Sequence, residues 1–431
     1  MRYIIASALT LPSLLSALTI SQVVQQTIET NPKIYVKKAV LSSEKTLLTK
    51  EKSGYLPSVD LYYSAGRERS RMISNSRDTV INTTQNMTGT VSENIFEGFK
   101  TQSGVDKQKA LIVSAEKNVQ NVINNTALDA AAAYINIIKN KYLTKIAKKN
   151  VAVHKKYLAQ IKERVDAGVA RKSDYKQTLS RYANAQSNFY FAQQNYKNAI
   201  TSFQKILDIK VNPNSFEEPS IDKLPTQNIG ELIKIALERN PELLMNHADI
   251  KSAQALVVQS KASYYPKVDL KLQSYWHKNL NGIVTNGNNP YDTEDSYSAQ
   301  AVLSYNIFRG FSDKAVVESN KYKLLEKQDI LADLRRRVIA DVKTAWQTYN
   351  STKEQMIFLT QQIEASKETV KDYHQEYNLG RRSIVDLLNI ELEYNSAKNR
   401  FVKAKYEHYL SYYKLLTYIN NMLEEMNVSV K

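Results

Sequence analysis

Four short segments of this chain alternate apolar with polar side chains, and they come as two pairs about half the sequence apart. In the second pair Val268, Leu270, Leu272 and Trp276 alternate with Lys267, Asp269, Lys271, Gln273 and His277. Its other segment sets Ala299, Ala301, Leu303, Tyr305 and Ile307 against Ser298, Gln300, Ser304 and Asn306. The first pair carries Val59, Leu61, Tyr63 and Ala65 and, more weakly, Met87, Gly89, Val91 and Ile95. A period of two places every second side chain on one face of a β-strand. Strands are predicted at about 56–67, 86–97, 265–277 and 297–309. Each is about 10–12 residues, the length that crosses a bilayer as a tilted strand. Open sheet edges are not tolerated in lipid, and four strands cannot close a pore. Strands that span a membrane here would require the chain to assemble with copies of itself.

The pairing is part of a longer duplication. Asn31-Pro32 recurs as Asn240-Pro241, and Tyr55-Leu56-Pro57-Ser58-Val59-Asp60-Leu61 recurs as Tyr264-Tyr265-Pro266-Lys267-Val268-Asp269-Leu270, both displaced by 209 positions. Asn94-Ile95-Phe96-Glu97-Gly98-Phe99 recurs as Asn306-Ile307-Phe308-Arg309-Gly310-Phe311, displaced by 212, as are Gly168 and Asp174 from Gly380 and Asp386. The first copy spans 18–211 and the second 229–420, joined by a proline-bearing linker at 212–228 and followed by a tail at 421–431. Polar loops are expected near 68–85 and 278–296. Tyr55, Tyr264, Tyr265, Phe96, Phe99, Phe308 and Phe311 cluster at one end of the strands, where a membrane barrel carries an aromatic girdle.

Helical periodicity fills the rest. Residues 20–53 and 229–262 carry helix-period apolar positions up to each Tyr-X-Pro block, and long proline-free helices are predicted at 101–167 and 313–379, each followed by a shorter one at 172–208 and 384–420. A helix of 67 residues is about 100 Å long and must be covered along its apolar stripe. The lengths suggest that two shorter helices stacked end to end cover one long one. Glycine at Gly168 and Gly380 suits the tight reversal between helices because it accepts positive φ.

Composition narrows the function. The first 17 residues read as an export signal, with Arg2 as the positive region and an apolar stretch from Tyr3 to Leu15. The net charge of +16 reads as solvated helix faces in an exported chain, with no nucleic-acid partner. There is no cysteine, hence no thiol catalysis, cysteine metal site or disulfide. The five histidines are scattered, and no glycine-rich phosphate loop or nucleophile elbow occurs, so no enzyme activity, metal or cofactor is expected.

With these motifs in this order, the sequence resembles the TolC family of outer-membrane factors over the whole chain after the signal. The second copy adds Gly380-Arg381-Arg382-Ser383-Ile384-Val385-Asp386-Leu387-Leu388, which is similar to the family's helix-tip signature. The resemblance implies an α+β membrane protein with two repeats per chain. It also implies a homotrimer, a transmembrane β-barrel completed by trimerisation, and a long-helix α-barrel tunnel in the periplasm. The implied function is a passive exit duct in a tripartite efflux pump or type I secretion system, partnered by a periplasmic adaptor and an inner-membrane pump of RND, ABC or MFS type. The competing class, a periplasmic coiled-coil adaptor, lacks such a duplicated hairpin-strand pattern. By resemblance, the tips at Gly168, Val169, Ala170, Gly380 and Arg381 meet the adaptor, and Asp386, Asn389, Arg382 and Asp174 constrict the entrance. A local reading of the same residues is that Ser383 and Asp386 cap a helix.

Overall fold

The computed structural model describes residues 18–71, 79–207, 216–221, 224–280 and 293–429. The expected export signal at 1–17, the middle of both expected polar loops and part of the expected linker fall outside them. The chain divides into two compact units, one of 1–37, 118–243 and 334–431, the other of 38–117 and 244–333.

The second unit holds the sheet. Four antiparallel strands, β1 (Ser58–Arg71), β2 (Thr79–Phe96), β3 (Lys267–Asn279) and β4 (Thr293–Ser304), lie in the order β1-β2-β3-β4, which leaves β1 and β4 with open edges in the single chain. The strands run further into the expected loops than the alternation indicated. At the other end β1 and β3 start only after Pro57 and Pro266, and β4 stops at Ser304, so Tyr305 and Ile307 lie outside it. The register sorts the side chains cleanly. Val59, Val91, Leu272 and Ala299 form one cross-strand row, and the adjacent row is Asp60, Thr90, Gln273 and Ser298. One face is therefore largely apolar and the other polar. The apolar side chains are not covered: Val59 is 76% and Tyr297 84% exposed.

A bulge interrupts β2 between Asn94 and Phe96, leaving Ile95 as the extra residue. Asn94 pairs with Asp269 on the polar face, and its side-chain nitrogen donates to Asp269 at 2.8 Å. The bulge shifts parity by one, so Phe96 pairs with Val268 and joins the apolar face. There its ring makes edge contacts with Phe99 (5.6 Å) and Tyr265 (6.3 Å). Gly98 and Phe99 then take successive left-handed conformations (φ 65° and 64°), turning the strand into the next helix, and Gly310 and Phe311 repeat this at 58° and 64°. Gly98 is also held by close approach, because a Cβ there would lie 2.7 Å from the Ala262 carbonyl oxygen.

The helices follow the duplication. α3 (Lys100–Asp166) and α7 (Ser312–Asn378) are continuous over 67 residues each and lead into α4 (Lys172–Leu207) and α8 (Ile384–Tyr418). The segments read as single helices before each strand pair are each divided. α1 (Ile20–Thr30) and α2 (Pro32–Lys52) break at Asn31, and α5 (Ile229–Arg239) and α6 (Pro241–Ser260) break at Asn240. Proline lacks the N–H that would continue the ladder but is well placed at the first position of a new helix. The asparagine caps that helix: Asn31 Oδ1 accepts from Lys33 N at 3.0 Å, and Asn240 Oδ1 from Glu242 N at 2.9 Å. Its amide nitrogen reaches the end of another helix, Ile206 O at 3.4 Å in one copy and Tyr418 O at 3.5 Å in the other.

The 216–221 part of the linker is fastened within the first unit. Phe216 sits edge-on to Tyr134 and Phe203, and Glu218 receives Lys405 Nζ at 2.8 Å and Tyr406 OH at 2.9 Å. A short helix, α9 (Met422–Glu425), lies in the tail. No described helix is long and apolar enough to cross a membrane.

Asn240→Ala removes both the cap and the reach to Tyr418, and should cost about 1–2 kcal/mol of unfolding free energy. Asn240→Asp keeps the cap acceptor and should cost less. Denaturant titration followed by circular dichroism measures both.

Candidate functional site

Each long helix ends in a reversal built by the same backbone bonds. Gly168 N donates to Val165 O at 3.0 Å and Val169 N to Arg164 O at 2.9 Å; in the second copy Gly380 N donates to Tyr377 O at 3.1 Å and Arg381 N to Glu376 O at 2.8 Å. This double bond with a left-handed glycine (φ 74° and 73°) is the Schellman termination, which satisfies carbonyls that a helix end leaves orphaned. Both turns expose an apolar side chain, Val169 at 75% and Leu379 at 70%. One buried cluster joins the two hairpins here: Tyr157 and Ile161 of α3 with Tyr377, Ile384, Leu387 and Leu388, and Ala170 packed against it.

Asp386 stands in the first turn of α8. Ser383 Oγ accepts from Asp386 N at 3.1 Å and lies 2.7 Å from Asp386 Oδ2, so the capping arrangement is present. Arg382 Nε donates to Glu376 Oε2 at 2.7 Å, and its guanidinium lies 4.1 Å from the centre of the Tyr373 ring. Asn389, exposed one turn on, accepts from Arg181 Nη2 of α4 at 3.5 Å. Asp174 holds the equivalent first-turn position in α4. Within one chain the four residues thus line two helix starts at the same end of the hairpins and form no closed cluster.

Next to this tip lies a buried polar layer that periodicity did not single out. Tyr157 OH donates to Glu391 Oε1 at 3.0 Å, joining α3 of the first copy to α8 of the second, and Asn395 Nδ2 donates to Asn150 Oδ1 at 2.9 Å. Burial pushes the Glu391 carboxyl above its ordinary range; the Tyr157 bond and the Lys398 charge oppose this only in part. His154, also buried, is pushed down by burial and by the Arg181 charge. The sequence signal was available: Glu391 follows Leu387 and Leu388 at helical spacing, a carboxylate where the apolar stripe continues.

At the strand ends Tyr55, Tyr264, Tyr265, Phe99, Phe308 and Phe311 are exposed, with Phe96 half-buried among them. Among the described residues no group of histidine and carboxylate side chains is arranged to hold a metal ion.

A model of the outer membrane efflux protein family matches residues 23–207 and 232–421, one match per repeat. The chain belongs to that family. It is 22% identical to the outer membrane protein TolC of Escherichia coli (strain K12), over 96% of this chain and 84% of that one. It is 20% identical to the outer membrane efflux protein BepC of Brucella suis biovar 1 (strain 1330), over 86% of this chain and 78% of the relative. The outer-membrane channel OprN superposes on it with a TM-score of 0.83 at 19% identity, covering 93% of this chain and 90% of the other. As an outer membrane efflux protein the chain is located in the outer membrane and is a channel protein.

The raised Glu391 gives a pH signature. A carboxyl whose folded pKa exceeds its unfolded value contributes stability fully below the ordinary glutamate range, and that contribution is lost as pH rises through the folded value. Glu391→Gln keeps an acceptor for Tyr157 and removes the titration. The fall in thermal midpoint from about pH 4 to about pH 7 should be smaller in the variant than in the parent. An unchanged slope would assign the pH dependence to other groups.

Proposed function

We propose that three copies of this chain form one passive duct, their sheets closing a single β-barrel in the outer membrane and their hairpins a helical tunnel in the periplasm. The observation that carries this is an inequality between the two repeats. Inside the chain the β2–β3 seam is completed by Asn94 on Asp269 (2.8 Å), by Gly98 against Ala262, and by Phe96 and Phe99 around Tyr265. The duplication provides the same parts again on the outer flanks, as Asn306 and Asp60, Gly310, Phe308 and Phe311. There Asn306 and Asp60 are exposed, a Cβ on Gly310 would meet open space, and Phe308 and Phe311 are 70% and 72% exposed. A neighbouring copy brings β1 to β4 and repeats the inner seam between molecules, which also satisfies the open edges that lipid does not tolerate. The polar sheet face then lines the lumen and the apolar face meets lipid.

The duct is a conduit, with no catalytic step. Transport is driven by an inner-membrane pump of RND, ABC or MFS type through a periplasmic adaptor. The tips at Gly168, Val169, Ala170, Gly380 and Arg381 are the adaptor's contact, supported by the exposed apolar Val169 and Leu379. Asp386, Asn389, Arg382 and Asp174 set the constriction, where three copies of Asp386 form one acidic ring.

The absence of native cysteine makes the seam directly testable. Asp60→Cys combined with Asn306→Cys should give disulfide-linked trimers in outer-membrane fractions, whereas cross-linking that stops at dimers or never forms would sink the closed assembly. For the gate, Asp386→Ala should raise single-channel conductance in planar bilayers by about twofold or more, while Ser383→Ala, which removes the cap and the hydroxyl bond to Asp386 but keeps its charge, should change it little. Equal changes in both would leave Asp386 a capping residue alone.

A further inference from the structure

The apolar face of the sheet carries one carboxylate that the duct does not use. Glu93 of β2 pairs with Leu270, two positions from Val91 opposite Leu272, so its side chain belongs to the apolar face. Its neighbour Asn94 bonds Asp269 on the opposite face, which fixes the parity independently. Glu93 Oε2 is shut off from solvent and makes no hydrogen bond, although a buried carboxylate oxygen is normally paired. The lysines of β3 do not serve it. Lys267 Nζ lies 3.1 Å from Asp269, and the charge of Lys271, two residues along β3 on the same polar face, bears on that same carboxylate.

Beside Glu93 the face is hollow. A trough of about 420 Å³ is lined by Glu93, Val91, Leu270, Leu272, Ala299 and Ala301, together with Lys271 and Gln300, which the register sets in one row with Ser92 and so assigns to the polar face. Through Val91, Leu272 and Ala299 it runs into a second trough of about 550 Å³ over Gly89 and Ser274, walled by Val59 and Tyr297. From the row of Glu93 to the row of Gly89 is four residues, about 13 Å along the strands. Glu93 lies three residues from Phe96, about 10 Å along the strand and less in depth because membrane strands tilt. The carboxylate therefore stands at the border between headgroups and hydrocarbon, at the end of an apolar channel leading inward.

We propose that this face seats one phospholipid whose headgroup ends in a primary ammonium, with Glu93 as its ionic partner and the trough over β2, β3 and β4 as the bed of an acyl chain. The seat rests on the reading of the sheet as part of a membrane barrel. Charge complementarity selects the ammonium at the partly exposed Glu93 carboxylate, and a carboxylate is held best by a cation that also donates N–H bonds, which a quaternary ammonium lacks. An anionic glycerol headgroup would be repelled. Zwitterionic phosphatidylethanolamine meets both demands.

The test is native mass spectrometry of the full chain released from detergent after incubation with equal amounts of phosphatidylethanolamine, phosphatidylcholine and phosphatidylglycerol of one chain length. The parent should retain the ethanolamine lipid about threefold or more over each of the others, and Glu93→Gln, still trimeric, should retain all three alike. Equal retention by the parent, or an ethanolamine preference that survives Glu93→Gln, would overturn the seat while intact trimers leave the barrel standing. Spectra of lipid-free monomer alone would overturn both.

Discussion

A peptide group in hydrocarbon has no water to bond, and every exposed amide and carbonyl there costs several kcal/mol. The rest of this molecule is organised around that constraint. The sheet satisfies its inner ladders within one chain and leaves two edges to be met elsewhere. A bulge at Ile95 re-aims Phe96 so that the strand can end in an aromatic cluster and not in polar groups. Two left-handed residues, one of them a phenylalanine at a cost of about 1 kcal/mol, then swing the chain into a helix without a loop. Long helices follow because their backbone bonds are internal and their burden is only to cover an apolar stripe.

Much of this was legible in the residues, since the duplication repeats motifs whose roles are local. Alternation gave the strands and their faces, and the glycines at Gly168 and Gly380 marked the reversals. Boundaries were less legible where periodicity competes with a single residue. Alternation continues through Tyr305 and Ile307, yet β4 ends at Ser304, because a two-residue pattern reports side chains and not whether a ladder partner is present. Helical spacing likewise runs across Asn31 and Asn240, although proline forces a break that asparagine then caps. A bulge leaves almost no trace in composition, so the side of the sheet taken by Phe96 depended on pairing that no single strand reveals.

The tip shows the same division. Its turns could be read from glycine, but its cohesion depends on tertiary neighbours. Tyr157 and Glu391 lie far apart in sequence and meet only because hairpins from the two copies pack together. Asp386 has a local role that is independent of the proposed entrance ring. Its bond with Ser383 starts a helix whichever way the entrance is regulated, so the local role is no argument against a role in the ring.

Gene duplication left this chain with two versions of a single joint, at Gly98 and at Gly310. The first is closed by parts of the same polypeptide, so its formation is governed by loop closure and is indifferent to how much protein is present. In the proposed trimer the second is closed by another molecule and so depends on encounter and abundance. On that reading a protomer holds one finished seam before it meets its neighbours, and scarcity delays only the unfinished one. Substitutions at the inner joint would act as folding lesions in every dose, whereas those at the outer joint would be rescued in part by raised expression.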